Sequence, residues 1–180
     1  ETTKSIIKDL KEIGIEDIKT FKDFYGCVGI LKGGKPGKTV LLRADIDALP
    51  VLEKTGLPFA SKIEGKMHAC GHDTHGAMLL GSAMVLNEMK DKINGTVKFF
   101  FQPGEEVGKG AAAMVAEGAL EGVDSVMGMH ISSGLPSGTI NADPGAKTAS
   151  ADYFKITVTG KGGHGAEPEK TIDAVVVGSA

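Results

Sequence analysis

Between Val97 and His130 the chain reads as strand, helix and strand, and this order constrains the fold more than any other stretch. Val97–Gln102 is apolar and rich in phenylalanine, Gly110–Glu117 is helix-forming, and Val123–His130 is apolar again. A β-α-β unit builds a mixed or parallel sheet covered by helices, so an α/β fold is predicted. In open sheets of this class ligands bind beyond the carboxyl ends of the strands. Polar clusters stand at both of those ends, Gln102-Pro103-Gly104-Glu105-Glu106 and Gly128-Met129-His130.

The flanking sequence extends the pattern. Ile6, Ile7, Leu10 and Ile13 recur at helical spacing before Gly14, which predicts a helix over 3–13. Val28–Leu31 and Thr39–Arg43 read as strands on either side of Lys32-Gly33-Gly34-Lys35-Pro36-Gly37-Lys38, which predicts a hairpin. A loop then runs to about Lys66, and the apolar stripe from Thr74 to Met89 predicts a second helix. After Gly145 the texture changes to an alternating segment over 152–159, a glycine-rich loop over 160–165 and a helix start from Thr171. Two domains follow, residues 1–146 and 147–180. Both ends look cut, since the chain opens on Glu1 and stops inside an apolar run, and a longer polypeptide is expected.

A third polar cluster carries most of the chemistry. Met67-His68-Ala69-Cys70-Gly71-His72-Asp73-Thr74-His75 holds three imidazoles, a thiol and a carboxylate, donors that suit borderline-soft transition metals better than Mg²⁺ or Ca²⁺. Cys70 and His72 stand at a predicted helix N-terminus, whose positive partial charge favours a thiolate. Taken alone, a packed thiol and a capping imidazole would explain the pair. Glu105 and Glu106 would repel one another if buried without a cation, and a solvated loop is the bland alternative. On an extended backbone the two carboxylates point oppositely, so that one could ligate a metal while the other takes a proton from the attacking water. His130 is either a core histidine at a strand end or a fourth ligand beside Cys70, His72 and Glu106. Asp45 and Asp47 could cap a loop, bind metal or orient ligating histidines, and the last is favoured. Asp73, His68 and His75 suit caps or outer partners better than direct ligands. His164, flanked by glycines, is either exposed and idle or closes over a cleft to stabilise an oxyanion.

Charge and composition exclude other classes. A net charge of −3 with no Lys/Arg-rich run argues against a nucleic-acid surface or an anionic membrane patch. No apolar stretch reaches membrane-span length, and no signal-peptide pattern opens the chain. With only two cysteines, Cys27 and Cys70, reduced thiols and a cytoplasmic location are expected, Cys27 simply packing in its strand.

From Gly26 to Ala180 the sequence resembles the M20 metallopeptidase family. The resemblance rests on Arg43-Ala44-Asp45-Ile46-Asp47-Ala48-Leu49-Pro50, His68-Ala69-Cys70-Gly71-His72-Asp73-Thr74-His75, Gln102-Pro103-Gly104-Glu105-Glu106, Gly128-Met129-His130 and Gly160-Lys161-Gly162-Gly163-His164. The branch it is most similar to comprises amidohydrolases such as hippurate hydrolase, N-acetyldiaminopimelate deacetylase and the auxin-conjugate hydrolases. The resemblance implies a three-layer α/β catalytic domain with an inserted ferredoxin-like lid and dimerisation domain, here begun at about residue 147. It implies two divalent metal ions, Zn²⁺ or Mn²⁺, held by Cys70, His72, Glu106 and His130, with a further C-terminal histidine that has no counterpart in these residues. It implies Glu105 as general base and His164 as a substrate contact reaching from the lid. Family members usually read Gly-His-Ala-Ala where this chain has Gly163-His164-Gly165-Ala166. The implied activity is hydrolysis of the amide of a small N-acyl amino acid by a homodimer. A peptidase acting on short peptides, and a non-catalytic metal- or substrate-binding relative, are the alternatives.

Overall fold

The computed structural model describes all 180 residues, which divide into two compact units, Glu1–Pro136 and Ser137–Ala180. The first unit runs α1 (Thr2–Ile13), β1 (Ile18–Thr20), β2 (Cys27–Lys32), β3 (Lys35–Asp45), α2 (His72–Glu88), β4 (Asn94–Gln102), α3 (Gly110–Ala116) and β5 (Ser125–Gly128). Its five strands form one mixed sheet in the order β1-β2-β4-β3-β5, and β3, β4 and β5 are mutually parallel.

Three layers follow from how β4 distributes its side chains. Successive residues of a strand face opposite sides, so Val97, Phe99 and Phe101 enter one core with Ile6 and Leu10 of α1 and Leu79 and Ala83 of α2. Phe100 enters the other with Val28, Leu41, Ala119 and Met114 of α3. A strand that is apolar on both faces is stable only where both are covered, and β4 accordingly sits third of five.

That position overturns the predicted hairpin. β2 and β3 are joined through Gly33 and Gly34 yet do not pair; β4 lies between them, antiparallel to β2 and parallel to β3. A β2–β3 hairpin would leave the phenylalanine strand at an edge. The connection instead crosses the start of β4, with the Gly33 N–H donating to the Gly95 carbonyl at 2.8 Å and the Gly34 N–H to the Lys90 carbonyl at 2.9 Å.

In the second unit α4 (Ala174–Ser179) is capped by Asp173, whose carboxylate accepts the N–H groups of Val175 and Val176 at 2.8 and 3.2 Å. The strand expected over 152–159 does not form. No strand lies alongside to complete a ladder, and Tyr153, Phe154 and Ile156 are exposed. No helix of the chain is long and apolar enough to cross a membrane.

Candidate metal centre

The carboxyl ends of the three parallel strands share one edge of the sheet. β3 ends at Asp45 and leads to Asp47, β4 ends at Gln102 and leads to Glu105 and Glu106, and β5 ends at Gly128 and leads to His130. The first turn of α2 brings His72 to the same edge, fully buried, with Cys70 just before it.

His72 is the hub. Its Nδ1–H donates to the Asp47 carbonyl at 3.1 Å, which leaves Nε2 with a bare lone pair. Around Nε2 stand Asp45 Oδ2 at 3.6 Å, Glu106 Oε1 at 3.7 Å and Glu105 Oε2 at 3.9 Å. His130 is turned the same way: its Nδ1–H donates to the Ile131 carbonyl at 2.6 Å, and its Nε2 accepts from the Cys70 thiol at 3.5 Å. The ligand atoms of Cys70, His72 and His130 lie within 4.8 Å of one another, as do those of His72, Glu105 and Glu106. Cys70, His72, Glu105, Glu106 and His130 therefore meet, whereas Asp73 is exposed and accepts the Thr74 N–H. His164 belongs to the second unit, where it is exposed and its Nδ1 accepts the Ala166 N–H at 3.1 Å.

Two expectations change in detail. Glu105 and Glu106 do not diverge from an extended backbone. They sit in a turn closed by the Gly108 N–H donating to the Glu105 carbonyl at 2.8 Å, and both carboxylates reach toward His72. What separates them is burial, since the Glu105 side chain is 40% exposed and that of Glu106 25%. Nor does the helix end lower the Cys70 thiol. Burial, then the carboxylates of Glu106, Glu105 and Asp45, push its pKa above the ordinary value. Cys27, buried in β2 and remote in role, is pushed up to about 12 by burial alone.

The site fits a cation. His72 Nε2 and Glu106 Oε1 are buried with no hydrogen-bond partner, and so is Asp47 Oδ1. Leaving such groups unpaired costs about 1–3 kcal/mol each, more when charged. A divalent metal with thiolate, imidazole and carboxylate ligands satisfies the first two at once and reverses the electrostatics that hold the thiol protonated. Zn²⁺ and Mn²⁺ both accept such donors.

Asp45, His72 and His75 also lie close enough to suggest a metal group. His75, however, has no lone pair to give: Nδ1–H donates to Asp45 Oδ1 at 2.5 Å, and Nε2 accepts the Ile131 N–H at 3.0 Å. Burial would raise the Asp45 carboxyl, but the His75 hydrogen bond, Arg43 and His72 outweigh it and hold it below its usual value. Asp45 is thus an acceptor, which fixes the His75 tautomer. Asp47 does the orienting expected of it, holding His72 through its carbonyl and accepting the Glu106 N–H on Oδ2 at 3.1 Å.

Residues 41–178 match the family described as Peptidase family M20/M25/M40. The chain belongs to this family. Among M20 relatives it is 50% identical over 178 residues to thermostable carboxypeptidase 1 of Saccharolobus solfataricus, covering 98% of this chain and 45% of that protein. It is 46% identical over 175 residues to N-acetylcysteine deacetylase of Bacillus subtilis, covering 97% and 46%. The crystal structure of the Bacillus subtilis YXEP protein, described as a dinuclear metal binding peptidase from the M20 family, superposes with a TM-score of 0.72 at 46% identity, over 75% of this chain and 38% of that one. The chain spans about half the length of the curated relatives it matches. Within this M20 chain, sequence reasoning passed over Gly71 and the backbone of Ile131. It grouped His75 with outer residues, and the two hydrogen bonds that occupy both its ring nitrogens agree.

Proposed function

We propose that the chain is the metal-binding part of a hydrolase that cleaves the amide of N-acyl amino acids or related small conjugates, releasing a carboxylic acid and an amino acid. The observation that supports it most is the pair of buried, partnerless ligand atoms, His72 Nε2 and Glu106 Oε1, 3.7 Å apart. In this reading Cys70, His72, Glu106 and His130 hold two divalent ions, Zn²⁺ or Mn²⁺, and the deacetylase relative points to the substrate class. When bound, such ions polarise a carbonyl and lower the pKa of water.

The chain's own residues supply the remaining steps. Glu105, the more exposed of the two acids, takes a proton from the attacking water on Oε2 and returns it to the departing amine nitrogen. Asp47 keeps His72 Nε2 turned inward and fixes the turn that carries both glutamates. Residues from about 147 begin a lid through which two copies associate, and His164 contacts the substrate from it. Two free cysteines accord with a cytoplasmic setting.

Glu105→Gln tests the reading. Turnover is expected to fall by at least ~10²-fold while metal content, measured by elemental analysis, stays near wild type. A variant with a normal rate removes Glu105 from the role. A second reading, a peptidase acting on short peptides, is favoured by the carboxypeptidase relative. A panel of N-acyl amino acids against dipeptides separates the two.

A further inference from the structure

His75 is absorbed by none of the roles above, yet it is 2% exposed and makes two well-formed hydrogen bonds at the centre of the site's wall. We propose that His75 is the positioning residue that sets His130 Nε2 toward Cys70, by holding the Ile131 backbone in place. The inference rests on the metal-centre reading and assigns a specific device within it.

The device is a chain of directed bonds. Arg43 on β3 is anchored by its Nε–H to Gln102 Oε1 of β4 at 2.8 Å, and it donates from Nη1 to Asp45 Oδ2 at 2.8 Å. Asp45 Oδ1 accepts from His75, and His75 Nε2 accepts the Ile131 N–H. The Ile131 carbonyl then accepts the His130 Nδ1–H, which leaves the His130 Nε2 lone pair facing Cys70. The Asp45 carboxylate and the Ile131 N–H fix the His75 tautomer, and the Ile131 carbonyl fixes that of His130, so what His75 sets is the position of the Ile131 backbone that carries this acceptor. The His75 and His130 rings also touch edge to face, with centroids 4.5 Å apart.

His130 needs such a device. Unlike His72, it is carried by an exposed loop beyond an edge strand, and its buried ring neighbour from a helix is His75 itself. Two anchors hold that loop: the His75 hydrogen bond, and the Ile131 side chain seated on Gly71. Partners of ligating histidines typically change metal affinity by about 10–100-fold when removed.

Two near-isosteric variants separate this role from burial of the Asp45 charge. In His75→Asn the side-chain amide reaches Asp45 but not Ile131. In His75→Gln it reaches the Nε2 position and accepts the Ile131 N–H. Metal-free protein, as its gene encodes it, is titrated with Co²⁺, following the visible ligand-field bands and the thiolate-to-cobalt band from Cys70. H75N should bind one Co²⁺ equivalent about 10–100-fold more weakly than wild type and mimic H130A, whereas H75Q should recover most of the affinity. Recovery by H75N but not H75Q, or unchanged binding in both, overturns the inference while leaving the metal centre standing. If H75N does not fold, as judged by circular dichroism, H75Q carries the test alone: a folded H75Q that loses a Co²⁺ equivalent overturns it. A wild type that takes up no Co²⁺ overturns the metal-centre reading and the inference together.

Discussion

Gly71 joins the two halves of the site through a single missing methyl group. Its φ of +83° lies in the left-handed region, and a Cβ there would stand 2.2 Å from Ile131 Cδ1. Gly71→Ala is expected to cost about 1–2 kcal/mol for the backbone alone and to displace Ile131 besides, weakening metal uptake. A cycle with Ile131→Ala checks the steric share by thermal unfolding: coupling of about 1 kcal/mol is expected, and strict additivity would show that the contact is inert. At this scale the sequence was legible in kind and silent in connection. Cys70, His72, Glu106 and His130 advertise themselves by donor type, because few other arrangements keep thiols, imidazoles and acids at strand ends. That Ile131 would link two histidines through its backbone carries no signature, since any residue has an N–H and a carbonyl. The divergence expected of Glu105 and Glu106 failed because Gly104, at φ +58°, turns the chain before them.

Among elements, β3 and β4 approach closely where the irregular start of β3 passes β4. Gly95, at φ +101°, would put a Cβ 2.0 Å from the Lys38 carbonyl oxygen, a backbone atom with nowhere to go. Gly95→Ala is therefore expected to destabilise by about 2–4 kcal/mol, combining left-handed strain and overpacking. Gly81, on the exposed face of α2 with open space where its Cβ would be, supplies the control. Gly81→Ala should stabilise by about 0.5–1 kcal/mol. Denaturant midpoints of both variants check the pair, and equal effects would refute the assigned crowding. α1 was readable from its apolar stripe and β4 from its phenylalanines; α2 forms where its apolar residues suggested a helix, but it buries Leu79 and Ala83 while Met84 and Val85 of the expected stripe are exposed. Strand pairing was not readable, because short linkers favour hairpins locally while the two-faced hydrophobicity of β4 decides the order globally. Residues 152–159 show the converse: alternation gives a segment the means to be a strand, and only a partner makes it one.

For the molecule as a whole, the site is a concentration of negative charge on a modestly anionic protein. Asp45, Asp47, Glu105 and Glu106 gather about His72, with Arg43 bound to Asp45 as the nearby cation. Stripping divalent metal with a chelator is expected to lower the melting temperature, and restoring Zn²⁺ or Mn²⁺ at a hundred times its dissociation constant should return about 2.7 kcal/mol per ion. Calorimetry on the stripped and reloaded protein decides it; an unchanged melt would mean that the cluster holds no stabilising ion. The sheet order has a consequence for biosynthesis. β2 and β3 leave the ribosome as neighbours, and although β2 can pair with β1 at once, neither can dock against β4 until Gln102 has been made. At cellular translation speeds this is a wait of several seconds, with their β4-facing edges bare and free to zip onto each other or onto a passing chain. The order of birth thus runs against the order of assembly, and the nascent protein is at its most vulnerable before any of its chemistry exists.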